Sequence, residues 1–370
     1  MTQHFKIGWD IGGAHVKAAL INPAGEIIAI FQEPCPLWKG LSHLQLAVNA
    51  IMTALPTAAY CHAMTMTGEL VDLFADRDDG VRQILLTMKA LLGNDRQFIF
   101  AGKDGLLAAE QVTSAHYLAI ASANWLATAH FAAQKITTGV LVDIGSTTTD
   151  ILFFNNGKVH AKGYTDYQRL ASQELVYTGI VRTAVMAVVT HVKDGQQTVG
   201  VMAEYFATMA DVYRLTGELN EAHDQTETAD GAEKTIEDSA RRLARMLGCD
   251  FHHNELSRWQ HMAADIRAQH VQKIQAAYQH MRATHHIPDT YPLVGAGVGR
   301  FLVQQLARDV GQPYRDFSEL CRYSLTDTEK MPADCAPAAA LACLMDNPCQ
   351  DDVTNSYAAG RYPDSGLLNS

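Results

Sequence analysis

The chain has 370 residues, 48% hydrophobic and 19% charged, with a formal net charge of -11. This is ordinary for a soluble globular protein and long enough for two domains with sizeable cores. The acidic balance excludes nucleic acid or an anionic membrane surface as a bulk partner, but leaves room for local cationic sites that take a phosphate.

In chain order, Lys6 to Ile28 reads as an apolar strand ending at Asp10, a Gly12-Gly13 bend, a second strand through Ile21, a turn at Asn22 and a third strand. Ser42 to Leu55 has apolar residues at helical spacing and stops before Pro56. Tyr60 to Met66 reads as a buried strand whose polar end, Thr65, Thr67 and Glu69, is either a site edge or an ordinary turn. A helix is predicted over 80–92, a short strand over 97–100, and a buried alanine-rich helix over 115–134.

Val140 to Val159 then repeats the opening design. An apolar strand ends at Asp143, a Gly145-Ser146-Thr147-Thr148 bend follows, and a second strand closes at Asn156-Gly157. Asp10 aligns with Asp143, Gly12 with Gly145, Gly13 with Ser146 and Lys17 with Asp150. A bend of small and hydroxyl residues beside a carboxylate brings backbone N–H groups close to phosphate oxygens. Two such hairpins over a hundred residues apart imply two related half-domains.

Residues 163–219 are crowded with aromatics, carboxylates and arginines, among them Tyr164, Tyr167, Glu174, Tyr177, Arg182, Glu204 and Arg214. That composition suits a cleft lining or a core with satisfied tyrosine hydroxyls. Residues 220–234 are acidic and turn-rich, a mobile loop or a divalent-metal site. Long amphipathic helices are predicted over 235–247 and 257–281. A buried strand over 291–294 runs into Gly295, Gly297 and Gly299 and then a helix over 300–308, a place for a nucleotide or phosphate. A second alanine-rich helix is predicted over 333–345, and a polar, poorly ordered tail follows Asn347. The seven cysteines are scattered, with no Cys-x-x-Cys pair, which fits reduced thiols. No leader is evident and no apolar run spans a bilayer, so a cytoplasmic protein is expected.

Two Asp-x-Gly hairpins, two alanine-rich connecting helices and a late glycine-rich strand end resemble the actin, sugar kinase and Hsp70 ATPase superfamily. The resemblance implies an α/β fold of two ribonuclease-H-like domains around a central cleft, here residues 1–134 and 135–346, with a mostly helical insertion over 163–285 and a tail from 347. In it the hairpins become phosphate loops and Gly295, Gly297 and Gly299 an adenosine loop. Ser172 to Thr183 resembles the hydantoinase A/oxoprolinase group; with Met66 to Asp72, Ala203 to Thr208 and Thr228 to Gly231, the chain is similar to a smaller family tied to tetrahydromethanopterin-dependent one-carbon transfer.

Archaeal relatives of that family include a methanofuran-biosynthesis synthase, which joins a furfurylamine diphosphate to γ-glutamyltyramine through an ether and releases diphosphate. The implied partner is therefore a small phosphorylated molecule, with Mg²⁺ held by Asp10 and Asp143. Gly12, Gly13, Gly145, Ser146, Thr147 and Thr148 would cradle phosphate oxygens. Lys17 either adds charge to that cradle or points away from it. Glu174 or Glu204 would take the phenol proton, Tyr177 and its aromatic neighbours would face the furfuryl carbon, and Arg182 or Arg214 would hold carboxylates. An ATP-dependent kinase or lactam hydrolase, and a non-catalytic nucleotide-binding partner, remain alternatives, and whether ATP binds stays open. A homo-oligomer is compatible with all three.

Overall fold

The computed structural model describes residues 4–327 and 329–345, so the tail expected from 347 lies outside the described residues. A six-stranded sheet opens the chain. Its strands are β1 (Phe5–Ile11), β2 (His15–Ile21), β3 (Ile27–Pro34), β4 (Tyr60–Met66), β5 (Arg96–Phe100) and β6 (Leu106–Ala108), in the order β3-β2-β1-β4-β5-β6. Strands β1 to β3 are antiparallel, and β4 and β5 join in parallel through helical crossovers. Helices α1 (Leu41–Ala54) and α2 (Arg77–Leu92) supply those crossovers and bury one face of the sheet. The apolar spacing in 42–55 is what makes α1 a covering helix, with Leu44, Val48 and Ile51 turned inward.

The expected helix over 115–134 is broken. A one-turn α3 (Tyr117–Ile120) ends at Ala121, and α4 (Asn124–Ile136) starts afresh. Between them Ser122 adopts φ 52°, in the left-handed region that a non-glycine residue occupies only at a cost of about 1 kcal/mol. Alanine density signals a buried helix but says nothing of where its axis must turn.

The second sheet repeats the first. Strands β7 (Gly139–Ile144), β8 (Thr149–Asn155) and β9 (Lys158–Val159) are antiparallel; β10 (Leu175–Val176) extends β8; β13 (Leu293–Ala296) and β14 (Tyr314–Asp316) join in parallel to give β8-β7-β13-β14. The intervening insertion holds α5 (Asp166–Ser172), a small hairpin of β11 (His191–Asp194) and β12 (Gln197–Gly200), α6 (Met209–Leu215), α7 (Ile236–Arg245) and the thirty-residue α8 (Leu256–His285). Helix α9 (Arg300–Val310) links β13 to β14, and α10 (Ala336–Leu344) closes the described chain. The duplicated order, three antiparallel strands followed by two parallel ones, is that of two ribonuclease-H-like halves, the actin-like α/β fold.

The connecting helices are exchanged between the halves. Helix α4 leaves the first half and packs on β7, β8 and β9 of the second. Helix α10 leaves the second half and packs on β1, β2 and β4 of the first. The approach of α10 is so close that a Cβ on Gly8 would stand 2.0 Å from the Ala338 carbonyl oxygen. Alanines on both helices let them touch each other between the sheets, in one apolar cluster holding Ala19, Trp125, Leu141 and Leu341. Among the described residues Cys35, Cys249, Cys321 and Cys335 are free thiols. No helix among the described residues is long and apolar enough to cross a membrane.

Candidate functional site: a cleft between twin hairpins

The two bends are built alike. Gly12 N–H donates to the His15 carbonyl at 2.9 Å, and Gly145 N–H to the Thr148 carbonyl at 2.8 Å. Each bend is then gripped from behind through its carbonyls. Leu37 N–H donates to Gly13 and Cys35 N–H to Ala14. On the other side Ile180 N–H donates to Gly145, while Val181 and Arg182 N–H both donate to Ser146. Gly179 makes this second grip fit, because a Cβ there would meet the Gly145 to Thr147 backbone at 2.5 Å. With the carbonyls held outward, the amides of Gly13, Ala14, Ser146 and Thr147 find no acceptor among the described residues. Successive backbone N–H groups left unpaired in bends that line one cavity are suited to an anion.

That cavity has a volume of about 490 Å³ and runs between the hairpins. Asp10, Lys17, Asp143 and Asp150 form its floor. Lys17 faces into it, and its Nζ donates to the Asp334 carbonyl at 3.0 Å, so the lysine does not point away. Burial pushes the Asp143 carboxyl up to about 7, helped by Asp150 and Asp10 and opposed by Lys17. Burial likewise lifts Asp10 to about 6, with Lys17 and an Asn124 hydrogen bond pulling the other way. Asp150, opposite Asp143 in the hairpin, is paired with Arg169 at 2.7 Å. His15 is buried beside Lys17 and Arg182, which keeps its imidazole neutral, its pKa held down to about 3 chiefly by burial.

Arg182 closes one side. Its guanidinium donates to Thr147 Oγ1 at 3.3 Å and lies 5.5 Å from the Trp38 ring, with no ion pair among the described residues. Burial lowers its pKa because no carboxylate compensates it. A half-buried guanidinium without a counter-ion beside four free amides is arranged for an anion not made by the protein. The far walls are apolar and aromatic: Trp38, Leu70, Val71, Trp125, Leu175 and Tyr177.

Other residues singled out from the sequence sit elsewhere. Both Glu174 oxygens are taken, one by Lys162 N–H, the other by Gly163 N–H and Ser172 Oγ–H, and the residue lies outside the lining. Glu204 is exposed and also outside it. Arg214 is buried against Glu221, Asp224 and Ser239 in the insertion. It anchors the acidic segment 220–234, which is pinned rather than loose, since Lys234 pairs with Asp224, and Arg242 and Arg245 with Asp230. Among the described residues no group of three metal-binding side chains forms there or anywhere else. Gly295, Gly297 and Gly299 do not border the cavity. Their open faces rest on Tyr314, on Ile144 with Asp143, and on Ile144 with Ile180. Gly295 lets β13 take the Tyr314 ring of β14, while Gly297 and Gly299, in the turn after β13, let that turn pack on the end of β7.

Sequence reasoning left Glu69 undecided as a strand end and passed over Ser122 and Asp166. The structure links all three at the cavity wall: Ser122 Oγ donates to Glu69 Oε1 at 2.7 Å and lies 3.2 Å from Asp166 Oδ2. The Thr67-Gly68-Glu69 run carried the only signal.

Fold and cleft together define a protein of the duplicated actin-like class, with Lys17, Arg182 and the amides of both bends gathered around one cavity. Within that class the chain belongs to the hydantoinase/oxoprolinase family, which matches residues 61–319. It is similar to the (4-{4-[2-(gamma-L-glutamylamino)ethyl]phenoxymethyl}furan-2-yl)methanamine synthase of Methanocaldococcus jannaschii, with 32% identity over 245 residues, 66% of this chain and 72% of that one. The synthase of the same name from Methanococcus vannielii is 33% identical over 130 residues, 35% of this chain and 57% of that one. Among solved structures, nucleotide-free acetone carboxylase, described with ATP-dependent acetone carboxylation, is 10% identical and covers 93% of this chain and 70% of its own at a TM-score of 0.54, a likeness of fold.

Proposed function

We propose that this protein is an enzyme of methanofuran-type cofactor synthesis that condenses furfurylamine diphosphate with γ-glutamyltyramine into an aryl–alkyl ether and releases diphosphate. The observation that carries the reading is the pair of hairpins with four unpaired amides, completed by Lys17 and the uncompensated Arg182. Relatives at about a third identity bear the name of the synthase that makes this kind of ether.

The furfuryl carbon–oxygen bond breaks as the electron pair leaves with diphosphate. The amides of Gly13, Ala14, Ser146 and Thr147, with Lys17 and Arg182, hold the oxygens on which that charge accumulates. Asp10 and Asp143 fit a magnesium ion, because such an ion takes one or two protein carboxylates and fills its other positions with substrate phosphate and water. Its chemistry would be to neutralise diphosphate charge. The carbon left electron-poor faces Tyr177 and Trp38, whose ring faces favour positive charge. The phenol oxygen then bonds to that carbon. Gly295, Gly297 and Gly299, expected to take an adenosine, pack on Tyr314, Asp143, Ile144 and Ile180 and lie outside the cavity lining, which supports a reading in which the phosphate groups belong to a substrate.

The test is incubation of the protein with furfurylamine diphosphate, γ-glutamyltyramine and Mg²⁺, with and without ATP. Ether and diphosphate without ATP are expected. ADP release with no ether would replace this reading by an ATP-dependent one.

A further inference from the structure

Etherification at a phenol needs a proton acceptor, because an unperturbed phenol ionises near pH ~10. The carboxylates on the cavity floor are crowded with Lys17 and the diphosphate cradle, and Asp150 is committed to Arg169. The apolar end of the cavity offers a different device. Glu69 stands behind its wall with 1% of its surface exposed. One carboxylate oxygen, Oε1, accepts from Ser122 Oγ at 2.7 Å. The other, Oε2, is buried with no hydrogen-bond partner. An isolated buried carboxylate oxygen costs stability and is kept only where the surroundings enforce it.

Two features enforce it here. Gly80 of α2 presses on Glu69, a Cβ at 80 falling 2.4 Å from the Glu69 carbonyl oxygen, which fixes the backbone. Ser122 is held in the left-handed break between α3 and α4, which turns its hydroxyl towards Glu69 while the residue lines the cavity. Strain of this kind in a residue on a cavity wall is an observation from which function is inferred.

Resting on the functional reading above, we propose that Ser122 and Glu69 form the proton relay for the phenol. The phenolic proton passes to Ser122 Oγ as that oxygen gives its own proton to Glu69 Oε1. The phenol oxygen bonds to the furfuryl methylene carbon, and the carbon–oxygen bond to diphosphate breaks with its electron pair going to diphosphate. Ser122 touches the substrate and ends neutral; Glu69 acts through it and ends protonated. Asp166, the other carboxylate near the hydroxyl, is tied to Arg77 at 2.6 Å and orients the serine rather than taking its proton. Burial lifts the Glu69 carboxyl to about 7, opposed by the Ser122 hydrogen bond and Arg77 and aided by Asp166, which suits a base working near neutrality.

The experiment compares wild type, Glu69→Gln, Glu69→Asp and Ser122→Ala in ether formation, using γ-glutamyltyramine and a ring-fluorinated analogue whose phenol is more acidic. Glu69→Gln and Ser122→Ala are expected to lose about 100-fold or more in kcat with the natural phenol. The fluorinated phenol should recover much of that loss in the variants while barely changing wild type, and Glu69→Asp should fall between. Binding of inorganic diphosphate with Mg²⁺ should be unchanged throughout. Wild-type kinetics in Glu69→Gln, equal loss with both phenols, or lost diphosphate binding would each overturn the relay. Should Glu69→Gln fail to fold, Ser122→Ala carries the same comparison. A wild type that makes no ether would instead remove the functional reading beneath it.

Discussion

Asp143 illustrates what a buried carboxylate costs the fold. Its carboxyl titrates near 7 in the folded chain, well above its ordinary value, chiefly because it is buried. The folded state therefore holds a proton that the unfolded state has already released between about pH 4 and pH 7, so stability falls as pH rises through that window. Asp143→Asn removes the penalty while keeping the shape. Thermal melts should show the variant more stable than wild type at pH 8, by about 2 kcal/mol, and indistinguishable at pH 4. Mg²⁺-dependent turnover should be lost in the same variant, and unchanged turnover would remove Asp143 from the site. Arg182 poses the complementary case. In the proposed reaction, Arg182→Ala should raise KM for furfurylamine diphosphate by about 10-fold or more, the worth of a charged hydrogen bond, with a smaller effect on KM for γ-glutamyltyramine. At this scale the sequence was partly legible. Asp10 and Asp143 stood out because each closes an apolar strand before a glycine bend. From sequence Glu174 stood as a candidate base and Glu69 only as part of a strand end; both are buried, and the hydrogen bonds alone show that Glu174 has both oxygens satisfied while Glu69 has one oxygen free.

Among the elements, the 175–183 segment shows how an insertion supports a loop it does not belong to. Its Thr178 Oγ1 and the Tyr213 hydroxyl of α6 meet the two ring nitrogens of His270 on α8, at 2.9 and 2.7 Å. Thr149 Oγ1 at the start of β8 donates to the Thr178 carbonyl at 2.8 Å. The second glycine bend is thus braced by α8 through one buried imidazole. Burial holds that ring neutral, its pKa down to about 3, so each nitrogen can serve one hydroxyl. His270→Ala should destabilise the protein by about 2–4 kcal/mol through the cavity and the two stranded hydroxyls, read from urea unfolding. Strand and helix positions were largely readable from periodicity: β4 is found at its expected residues, and α8 follows its amphipathic stripe. The break at Ser122 was not, because alanines at 119, 121 and 123 favour helix locally and the turn is imposed by packing around the cavity.

At the scale of the molecule, the doubled hairpin told the architecture early. Each half alone offers one glycine bend; only their opposition encloses the cavity, lined from both sides by Gly13, Ala14, Ser146 and Thr147. Cross-cleft ties, Arg77 to Asp166 and Gln225 Nε2 to the Gln32 carbonyl, hold the halves in register. What could not be read from sequence was the destination of the alanine-rich helices. Small residues announce close packing but not which sheet receives it.

That exchange of α4 and α10 has a consequence for how the chain can be divided. A cut at the turn after α4, where Thr137 takes φ 67°, would separate residues 1–137 from 138–370. Each fragment would carry the lid of the other and lack its own, leaving the floor of its sheet bare. Expressed singly, the fragments should be soluble only poorly and give no cooperative melt; co-expressed, they should fasten into one particle that unfolds in a single transition. The two halves descend from a repeated design, yet neither can be inherited, swapped or trimmed as an autonomous module.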